Sequence, residues 1–278
     1  MNISKLKKVM YKALIYALLL ALTGIVAYPF LWMIFASFKT SKEFYYMPPR
    51  LLPEAFTLIN YEQLIGRWQF GTYYLNSILV TAVQVVANLF IVTLAGYGFA
   101  KYRFRGRNFF FLLIISCTMI PWIATIIPLY ILASGLGMVN TYAGLMIPGM
   151  ASAFSILLAR NFISGIPTPL IEAARIDGAG EGRIFLKIVL PSIQPVLAVI
   201  TINKMIESWN AFTWPLLVVN SDSMRTLPIA IAKLSSQFYD SYDLKMAAAT
   251  MTILPVLLLY IALQKYFVEG VTLTGVKG

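Results

Sequence analysis

Long runs of apolar residues alternate with shorter polar segments along the whole chain. Each run is long enough to cross a bilayer as a helix, which takes roughly 20 residues. The runs are too long for the roughly ten-residue alternating strands of a membrane β-barrel. The pattern therefore predicts an all-α integral membrane protein with six transmembrane helices. The predicted spans are residues 13–38, 74–99, 108–134, 141–163, 192–219 and 246–268.

The composition supports this interpretation. Apolar residues make up 59% of the 278 residues and charged residues 12%, against roughly 45–50% and 25% in soluble domains. The mean hydropathy is +0.77. The N-terminus is basic and then apolar, like a signal peptide, but the apolar run from Ala13 to Phe38 exceeds the ~7–15 residues of a signal core. We therefore predict an uncleaved first span.

The distribution of basic residues predicts the orientation. With the N-terminus inside, the inner segments hold 14 of the 22 Lys and Arg residues and the outer segments hold 7. The short connector KYRFRGR (101–107) carries four positive charges and no acid, and short loops follow the positive-inside rule best. Both termini are predicted to be cytoplasmic. The predicted organisation is a cytoplasmic N-terminus (1–12), a transmembrane domain (13–268) and a cytoplasmic tail (269–278).

Several kinds of chemistry have no candidate residues in this sequence. The chain has no His and one Cys, Cys117, and it has no G-x-x-x-x-G-K-[ST] phosphate loop. A histidine-based catalytic site and a metal cluster are therefore not expected, and the chain is predicted not to be an enzyme. The net charge of +11 is explained by membrane topology, and no basic and aromatic cluster suggests a nucleic-acid groove.

Two predicted spans carry polar stripes at helical spacing. In the second span the stripe includes Gln84 and Asn88, after Ser77 and Thr81. In the fifth span it is formed by Asn203, Glu207, Asn210 and Trp214, with Lys204 one turn before Glu207. A charge at mid-membrane costs about 2.5–3.5 kcal/mol on insertion scales. The stripes either line a water-filled substrate pathway or join helices by hydrogen bonds.

The segment 166–191 is unusually charged for this chain, and we call it the elbow segment. Thr168 and Pro169 suit the start of a short helix, and Gly178 permits a left-handed turn. A second short helix then carries apolar residues on one stripe before Pro191. The physical expectation is two short helices joined by a glycine elbow, between spans four and five on the cytoplasmic side. This element either lies at the membrane surface or binds a protein.

The elbow segment also carries a specific motif, which reads E-A-A, three residues, G, nine residues, I, one residue, L-P. It resembles the EAA signature of the permease subunits of ABC importers. The segments MIPWIATIIPLYILASGLGMVNT, WNAFTWPLLV and RTLPIAIA resemble carbohydrate importers, above all the shorter permease partner of the maltose and oligosaccharide type. One position differs from the family pattern: many relatives carry an acidic residue directly after the Trp-Asn pair, and this chain has Ala211 there. The residues that match the EAA signature are Glu172, Ala173, Ala174, Gly178, Ile188, Leu190 and Pro191.

The resemblance implies a permease subunit that imports a sugar or oligosaccharide across the cytoplasmic membrane of a bacterium or archaeon. It implies a heterodimer with a second permease, an ATPase dimer that binds ATP and Mg²⁺ and docks on the elbow segment, and an extracytoplasmic sugar-binding protein. This chain would hold no cofactor or nucleic acid, and its tail would approach the ATPase dimer. Arg225, Thr226, Leu227 and Pro228 would contact the binding protein.

Two other functions fit the hydropathy pattern. An ion-coupled secondary transporter would show corresponding broken helices in two inverted halves, and the sequence shows no such correspondence. A membrane scaffold for a cytoplasmic partner is the third possibility. Lys204 would favour an anionic saccharide or would neutralise Glu207, and the sequence does not choose between these roles.

Overall fold

The computed structural model describes residues 3–67, 69–237 and 241–275. Those residues form helices joined by turns and loops, and none of them lies in a β-strand. The prediction of an all-α protein is therefore confirmed. Within the described ranges, the helices Met10–Ala36, Phe70–Lys101 and Tyr242–Ala262 are each long and apolar enough to cross a membrane, and three bent helix pairs pass the same test together. The candidate spans thus number three to six.

The α-helices are numbered in chain order. They are α1 (Ile3–Ala36), α2 (Ile59–Arg67), α3 (Phe70–Lys101), α4 (Arg107–Ser116), α5 (Trp122–Gly135), α6 (Tyr142–Met146), α7 (Ala153–Ser164), α8 (Thr168–Ile176), α9 (Glu181–Ile184), α10 (Leu190–Ser192), α11 (Gln194–Trp209), α12 (Thr213–Val218), α13 (Leu227–Gln237) and α14 (Tyr242–Gly275). A π-helical turn, Phe185–Val189, joins α9 to α10.

Three of the predicted spans are not continuous helices. The span 108–134 breaks between Arg107–Met119 and Trp122–Gly135, which meet at 106°. Pro121 lies at this break as the cap of α5, and a proline has no N–H to continue a helix. Pro128 and Pro255, in contrast, lie inside α5 and α14. A proline in an apolar run therefore does not by itself determine where a helix ends.

The other two interruptions lie in the fourth and fifth predicted spans. The helices Tyr142–Gly149 and Ala153–Ser164 meet at 44°. In the fifth span, α11 ends at Trp209 and α12 begins at Thr213. The helices Glu181–Ser192 and Gln194–Trp209 meet at 81°. The polar stripe predicted for the fifth span thus assumed a continuous helix that the structure does not contain.

Some predicted boundaries differ from the observed ones. The helix α14 runs from Tyr242 to Gly275, past the predicted end of the sixth span at 268. Residues 1–2 of the predicted N-terminus, 238–240 between the fifth and sixth predicted spans and 276–278 of the predicted tail lie outside the described residues. The single transmembrane domain at 13–268 and the cytoplasmic location of both termini stay predictions.

The chain divides into two compact units, and the first comprises Met1–Phe70 and Ile231–Leu254. Buried polar side chains organise the segment after α1. Asn60 donates hydrogen bonds to the carbonyls of Ser37 and Lys39, both at 2.8 Å. The buried Lys39 ammonium donates to the carbonyl of Arg50 and lies 5.7 Å from the ring centre of Trp32. This segment is therefore a folded substructure fixed by satisfied polar groups.

The second unit comprises Gly71–Ala230 and Pro255–Gly278. Its main core cluster combines buried residues of α3, α7 and α11 with residues of the elbow segment. Val92, Ala159 and Ile200 are fully buried there. Ile184 and Val189 of the elbow segment are also fully buried in this cluster. The elbow segment is therefore packed onto the helices as part of the same core.

Candidate functional site

The glycine elbow closes α8 with a Schellman motif. Gly178 has φ +81°. Its N–H donates to the carbonyl of Arg175 at 3.0 Å, and the N–H of Ala179 donates to the carbonyl of Ala174 at 2.9 Å. These are the two hydrogen bonds that define the motif. A Cβ at Gly178 would meet no atom within 4 Å, so the position requires glycine for its backbone conformation rather than for space.

The helix α8 has one face toward the core and one toward the surface. Ile171 is 1% exposed, and Ala174 is half-buried against the core cluster. On the other face, Leu170 is 49% exposed and Ile176 is 86% exposed, and Ala173 lies between them. The two alanines of the motif therefore differ in role: Ala174 packs inward, and Ala173 belongs to an exposed apolar strip.

The start of α8 lies one residue earlier than the sequence suggested. Thr168 is the first residue of α8, and Pro167 occupies the capping position without a side-chain hydrogen bond. Glu172 is exposed on this helix.

A cluster of polar side chains fastens the elbow to the end of α3. The Glu181 carboxylate accepts a hydrogen bond from Arg175 Nε at 2.6 Å and another from the Tyr97 hydroxyl at 3.0 Å. The hydroxyl of Tyr102 donates to the same carboxylate. The hydrogen bond between Arg175 and Glu181 raises the pKa of Arg175 above its ordinary value and lowers the pKa of the Glu181 carboxyl to about 2. The pair is therefore ionised at neutral pH. The two sides of the elbow are thereby linked to each other and to α3.

The remaining motif residues lie on the second half of the elbow segment. Ile188 and Leu190 are half-buried and pack against the core cluster, while Pro191 is exposed near the start of α10. A π-helical turn occupies this stretch, and such turns occur frequently at functional sites. The role of the seven motif residues in coupling stays a prediction.

The predicted pathway residues of the fifth span separate into two groups. Asn203, Glu207 and Asn210 are exposed on α11 and the turn after it. Trp214 lies on α12, is 7% exposed and donates from Nε1 to the carbonyl of Gly144 at 2.8 Å. The separation arises because the chain leaves the helical conformation between α11 and α12.

The polar residues of the second span make contacts between helices. Gln84 Nε2 donates to the carbonyls of Leu145 and Met146 at 3.0 and 3.2 Å. Asn88 Nδ2 donates to the carbonyl of Met150 at 3.4 Å. These carbonyls flank the break between α6 and α7, so the amides satisfy backbone acceptors that the helices leave free. Both residues thus have a structural role, whether or not substrate passes them.

A cavity of about 440 Å³ lies beside the break between α11 and α12. The predicted residues Gln84, Glu207 and Trp214 line it, while Asn88, Asn203 and Asn210 do not. The buried Lys204 also lines it, and its ammonium lies 3.0 Å from Glu207 Oε1. The other lining residues are Trp122, Pro148, Gly149, Ser208, Ala211, Phe212 and Thr213.

The four residues predicted to contact a binding protein are mostly turned inward. Leu227 is fully buried and its N–H donates to Ser77 Oγ at 2.7 Å. Thr226 is 5% exposed, and Arg225 and Pro228 are half-buried. The neighbouring Asp222 and Ser223 are exposed. The contact between residues 225–228 and a binding protein stays a prediction. Asp222 and Ser223 provide the exposed surface next to these residues.

A family model described as the binding-protein-dependent transport system inner membrane component matches residues 87–273. The match spans about two thirds of the chain and covers the elbow segment and the cavity-lining residues other than Gln84. The chain belongs to this family. It is therefore an inner-membrane, multi-pass permease component, as the motif spacing indicated.

Named relatives agree with the family assignment over nearly the whole permease. The arabinooligosaccharides transport system permease protein AraQ of Halalkalibacterium halodurans is 39% identical over 257 residues, which are 91% of this chain and 92% of the relative. The sn-glycerol-3-phosphate transport system permease protein UgpE of Brucella suis is 34% identical over 260 residues, covering 90% and 92%.

The fold of the permease also matches a solved structure. A chain in the crystal structure of a bacterial ABC transporter involved in the import of the acidic polysaccharide alginate aligns with a TM-score of 0.82. The two chains are 26% identical, and the alignment covers 94% of this permease and 98% of the other chain.

Several residues at these sites were not predicted from the sequence. Tyr97 and Tyr102 contact Glu181 from 84 and 79 residues away, and no local pattern marks such a contact. Trp122 follows a proline in the segment MIPWIATIIP, but its approach to Trp214 depends on the 106° bend.

Among the described residues, no group of three or more His, Cys, Asp or Glu side chains is arranged to hold a metal ion.

Proposed function

We propose that this permease translocates a sugar or oligosaccharide across the inner membrane as part of an ATP-driven importer. A solute-binding protein delivers the sugar, a second permease chain completes a heterodimer, and separate subunits bind ATP and Mg²⁺. The observation that carries the proposal is the family match together with relatives of 31–39% identity whose names include arabinooligosaccharides and galactooligosaccharides. The family match favours this function over an ion-coupled transporter.

The elbow segment is proposed as the docking site for the ATPase. Its exposed strip of Leu170, Ala173 and Ile176 presents apolar side chains in a segment that carries charge on either side. Exposed apolar patches with a polar rim mark protein interaction sites. The opposite face of α8 is packed into the core through Ile171, so a movement of the docked partner would reach the transmembrane helices. The proposed arrangement has six spans, with the elbow segment between the fourth and fifth spans on the cytoplasmic side.

The substrate pathway is proposed to pass the exposed face of α11 and the cavity beside it. Asn203, Glu207 and Asn210 lie on that face, and intramembrane ionisable residues face cavities or bundle interiors in transporters. Gln84 and Trp214 border the cavity, and Asn88 holds the neighbouring helix break.

Uptake by the reconstituted complex tests this function. The permease is co-expressed with a candidate second permease, ATPase and binding protein from the same organism, and the complex is placed in proteoliposomes. The probes are radiolabelled arabinooligosaccharides, galactooligosaccharides and lactose. We expect uptake of at least one of them that requires both enclosed ATP and the external binding protein. Uptake driven by an ion gradient without ATP would contradict the proposal.

Removing Glu181 tests whether the polar cluster couples the elbow to the spans. In a Glu181→Ala variant, Arg175, Tyr97 and Tyr102 lose their common acceptor. We expect the ATPase subunits to copurify as before, while the number of sugar molecules imported per ATP hydrolysed falls roughly fivefold or more, the lower range of a coupling energy between sites. Uptake and phosphate release are measured on the same proteoliposomes.

The matched control for this change is Arg183→Ala, which removes an exposed charge from the same short helix α9. We expect the control to keep the parental ratio of import to hydrolysis. If both variants behave alike, whether both coupled or both uncoupled, the cluster has no special part in coupling.

A further inference from the structure

The interruption between α11 and α12 forms a polar recess in an apolar segment. Non-helical backbone at membrane depth occurs only where it is buried in protein or lines a water-filled cavity. Here Ala211, Phe212 and Thr213 line the cavity of about 440 Å³. In secondary transporters, interrupted helices form substrate sites because their backbone groups remain available to a ligand, and the same chemistry applies here. The cavity is also within the size range of ligand pockets, roughly 300–1,000 Å³.

The cavity contains one buried cation and one accessible anion. Lys204 is 3% exposed, while the Glu207 side chain is 66% exposed. An ammonium group has three N–H donors, and the described contacts of Lys204 Nζ include one acceptor, Glu207 Oε1 at 3.0 Å. A buried charge is costly unless its hydrogen-bonding capacity is met. The remaining donors can therefore be satisfied by a ligand that carries oxygen acceptors.

Gln84 of α3 supplies an acceptor of fixed orientation. Gln84 Nε2 donates to the carbonyls of Leu145 and Met146, which assigns the amide nitrogen and leaves Oε1 as an acceptor. The Ser208 hydroxyl donates to Thr81 Oγ1 at 3.3 Å and adds an acceptor to the lining. Thr213 adds a hydroxyl group, which can both donate and accept. Donors and acceptors from α3, α11 and α12 thus line one cavity, as the recognition of a polyhydroxylated ligand requires.

Two indole rings form the apolar part of the lining. Trp122 and Trp214 lie with ring centres 6.5 Å apart and planes at 74°. The Trp214 ring is fixed by its hydrogen bond to the carbonyl of Gly144. Flat aromatic surfaces pack against the C–H faces of sugar rings, and a site that combines aromatic walls with a few polar groups is typical of small-molecule binding.

The charges of the lining decide which saccharide fits. Lys204 and Glu207 neutralise each other, and the other lining side chains are uncharged. An anionic sugar would place its carboxylate near Glu207 and would compete with it for Lys204, and two like charges that close together repel each other. A neutral sugar hydroxyl can accept from Lys204 and donate to Glu207 at the same time.

We propose that this cavity is a subsite for a neutral saccharide unit, in which Lys204 donates to and Glu207 and Gln84 accept from sugar hydroxyls, and in which the ion pair excludes anionic sugars. The inference rests on the proposed import function, because it names the class of sugar at one point of the pathway. It makes Glu207 the residue that sets charge selectivity.

Binding to the complete importer tests the subsite. The complex of both permeases and the ATPase is placed in nanodiscs without the binding protein, so that the selectivity of that protein is not measured. The ligands are the neutral oligosaccharide that the parental complex imports best and its uronic acid analogue, and binding is followed by saturation-transfer NMR and tryptophan fluorescence. We expect the parental complex to bind the neutral sugar at least about tenfold more tightly, the effect of one charge-assisted hydrogen bond.

Two variants separate the roles of the charges. Glu207→Gln removes the charge that compensates Lys204, and we expect the uronate to gain about tenfold in affinity and the preference to disappear or reverse. Lys204→Met removes the donor, and we expect the neutral sugar to lose about tenfold without any gain for the uronate. Both variants are expected to fold. In Glu207→Gln the amide oxygen can still accept from Lys204 Nζ, and in Lys204→Met the carboxylate that loses its partner, Glu207, is exposed. Copurification of the partner subunits reports the folding of both variants.

The control is Gln194→Lys, which adds a positive charge at the exposed start of the same helix α11. This variant should keep the parental preference for the neutral sugar.

Equal binding of both sugars by the parental complex, or an unchanged preference in Glu207→Gln, would overturn the subsite. If the parental complex imports no saccharide in proteoliposomes, the proposed import function fails instead. Import with unaltered selectivity in all variants rejects the subsite alone.

Discussion

A Gly178→Pro permease is expected to insert and fold but to lose most of its coupled transport. Gly178 has φ +81°, whereas a proline ring fixes φ near about −65°. Proline also lacks the N–H that donates to Arg175 at 3.0 Å. The elbow must therefore take another conformation, and strain of about 1–3 kcal/mol in such a turn corresponds to roughly a 5–150-fold shift between two states of a coupled system.

Uptake and ATP hydrolysis measured on the same proteoliposomes check this prediction. Gly178→Asn is the graded variant, since asparagine tolerates the left-handed region better than other residues, and it should retain more transport than Gly178→Pro. The matched control is Gly180→Ala. Gly180 has φ −68°, and a Cβ added to it would meet no atom within 4 Å, so alanine should be accepted there. Parental import by Gly178→Pro would show that the elbow conformation is not needed for coupling.

The second large effect is expected at the contact between α3 and α7. A Cβ on Gly96 would lie 2.8 Å from the Cβ of Ala159 and 2.9 Å from the backbone nitrogen of Arg160. Small residues allow membrane helices to approach this closely. Gly96→Ala forces α3 and α7 apart in the main core, and overpacking of this kind costs about 1–3 kcal/mol, occasionally more. We expect lower yield and a lower melting temperature in detergent.

The helix α3 contains its own control two residues further along. A Cβ on Gly98 would meet no atom within 4 Å, and alanine is favoured over glycine within a helix by up to about 1 kcal/mol. Gly98→Ala should therefore melt at or above the parental temperature in the same thermal unfolding assay. If Gly96→Ala is as stable as Gly98→Ala, the two helices are not in tight contact at Gly96.

The elbow segment was largely predictable because its determinants are local. The charged residues, the position of Gly178 and the apolar stripe after it indicated two short helices with a left-handed turn. The structure shows α8, Gly178 at positive φ and a second helical stretch with Ile184 and Val189 buried. The motif spacing also indicated the family, which the match over residues 87–273 confirmed. The roles of the motif residues in coupling stay predictions.

The substrate side was less predictable because its residues come from separate elements. Helical spacing placed Trp214 with Asn203, Glu207 and Asn210. The structure instead places Trp214 and Glu207 in one cavity with Gln84 and Lys204, and Asn203 and Asn210 do not line it. A hydropathy pattern records how apolar a run is, and it does not record whether the backbone bends within that run.

The sequence by itself determined the helical class, the candidate membrane segments, the absence of a phosphate loop and the family, because each depends on residue types at short spacing. Only the tertiary structure decided which side chains meet across the chain. The contact of Glu181 with Tyr97 and the cavity around Lys204 and Glu207 depend on bends of 44–106° and on the packing of helices far apart in sequence. Hydrogen bonds and ion pairs act over a few ångströms in space, and spacing along the chain fixes such distances only within one helix.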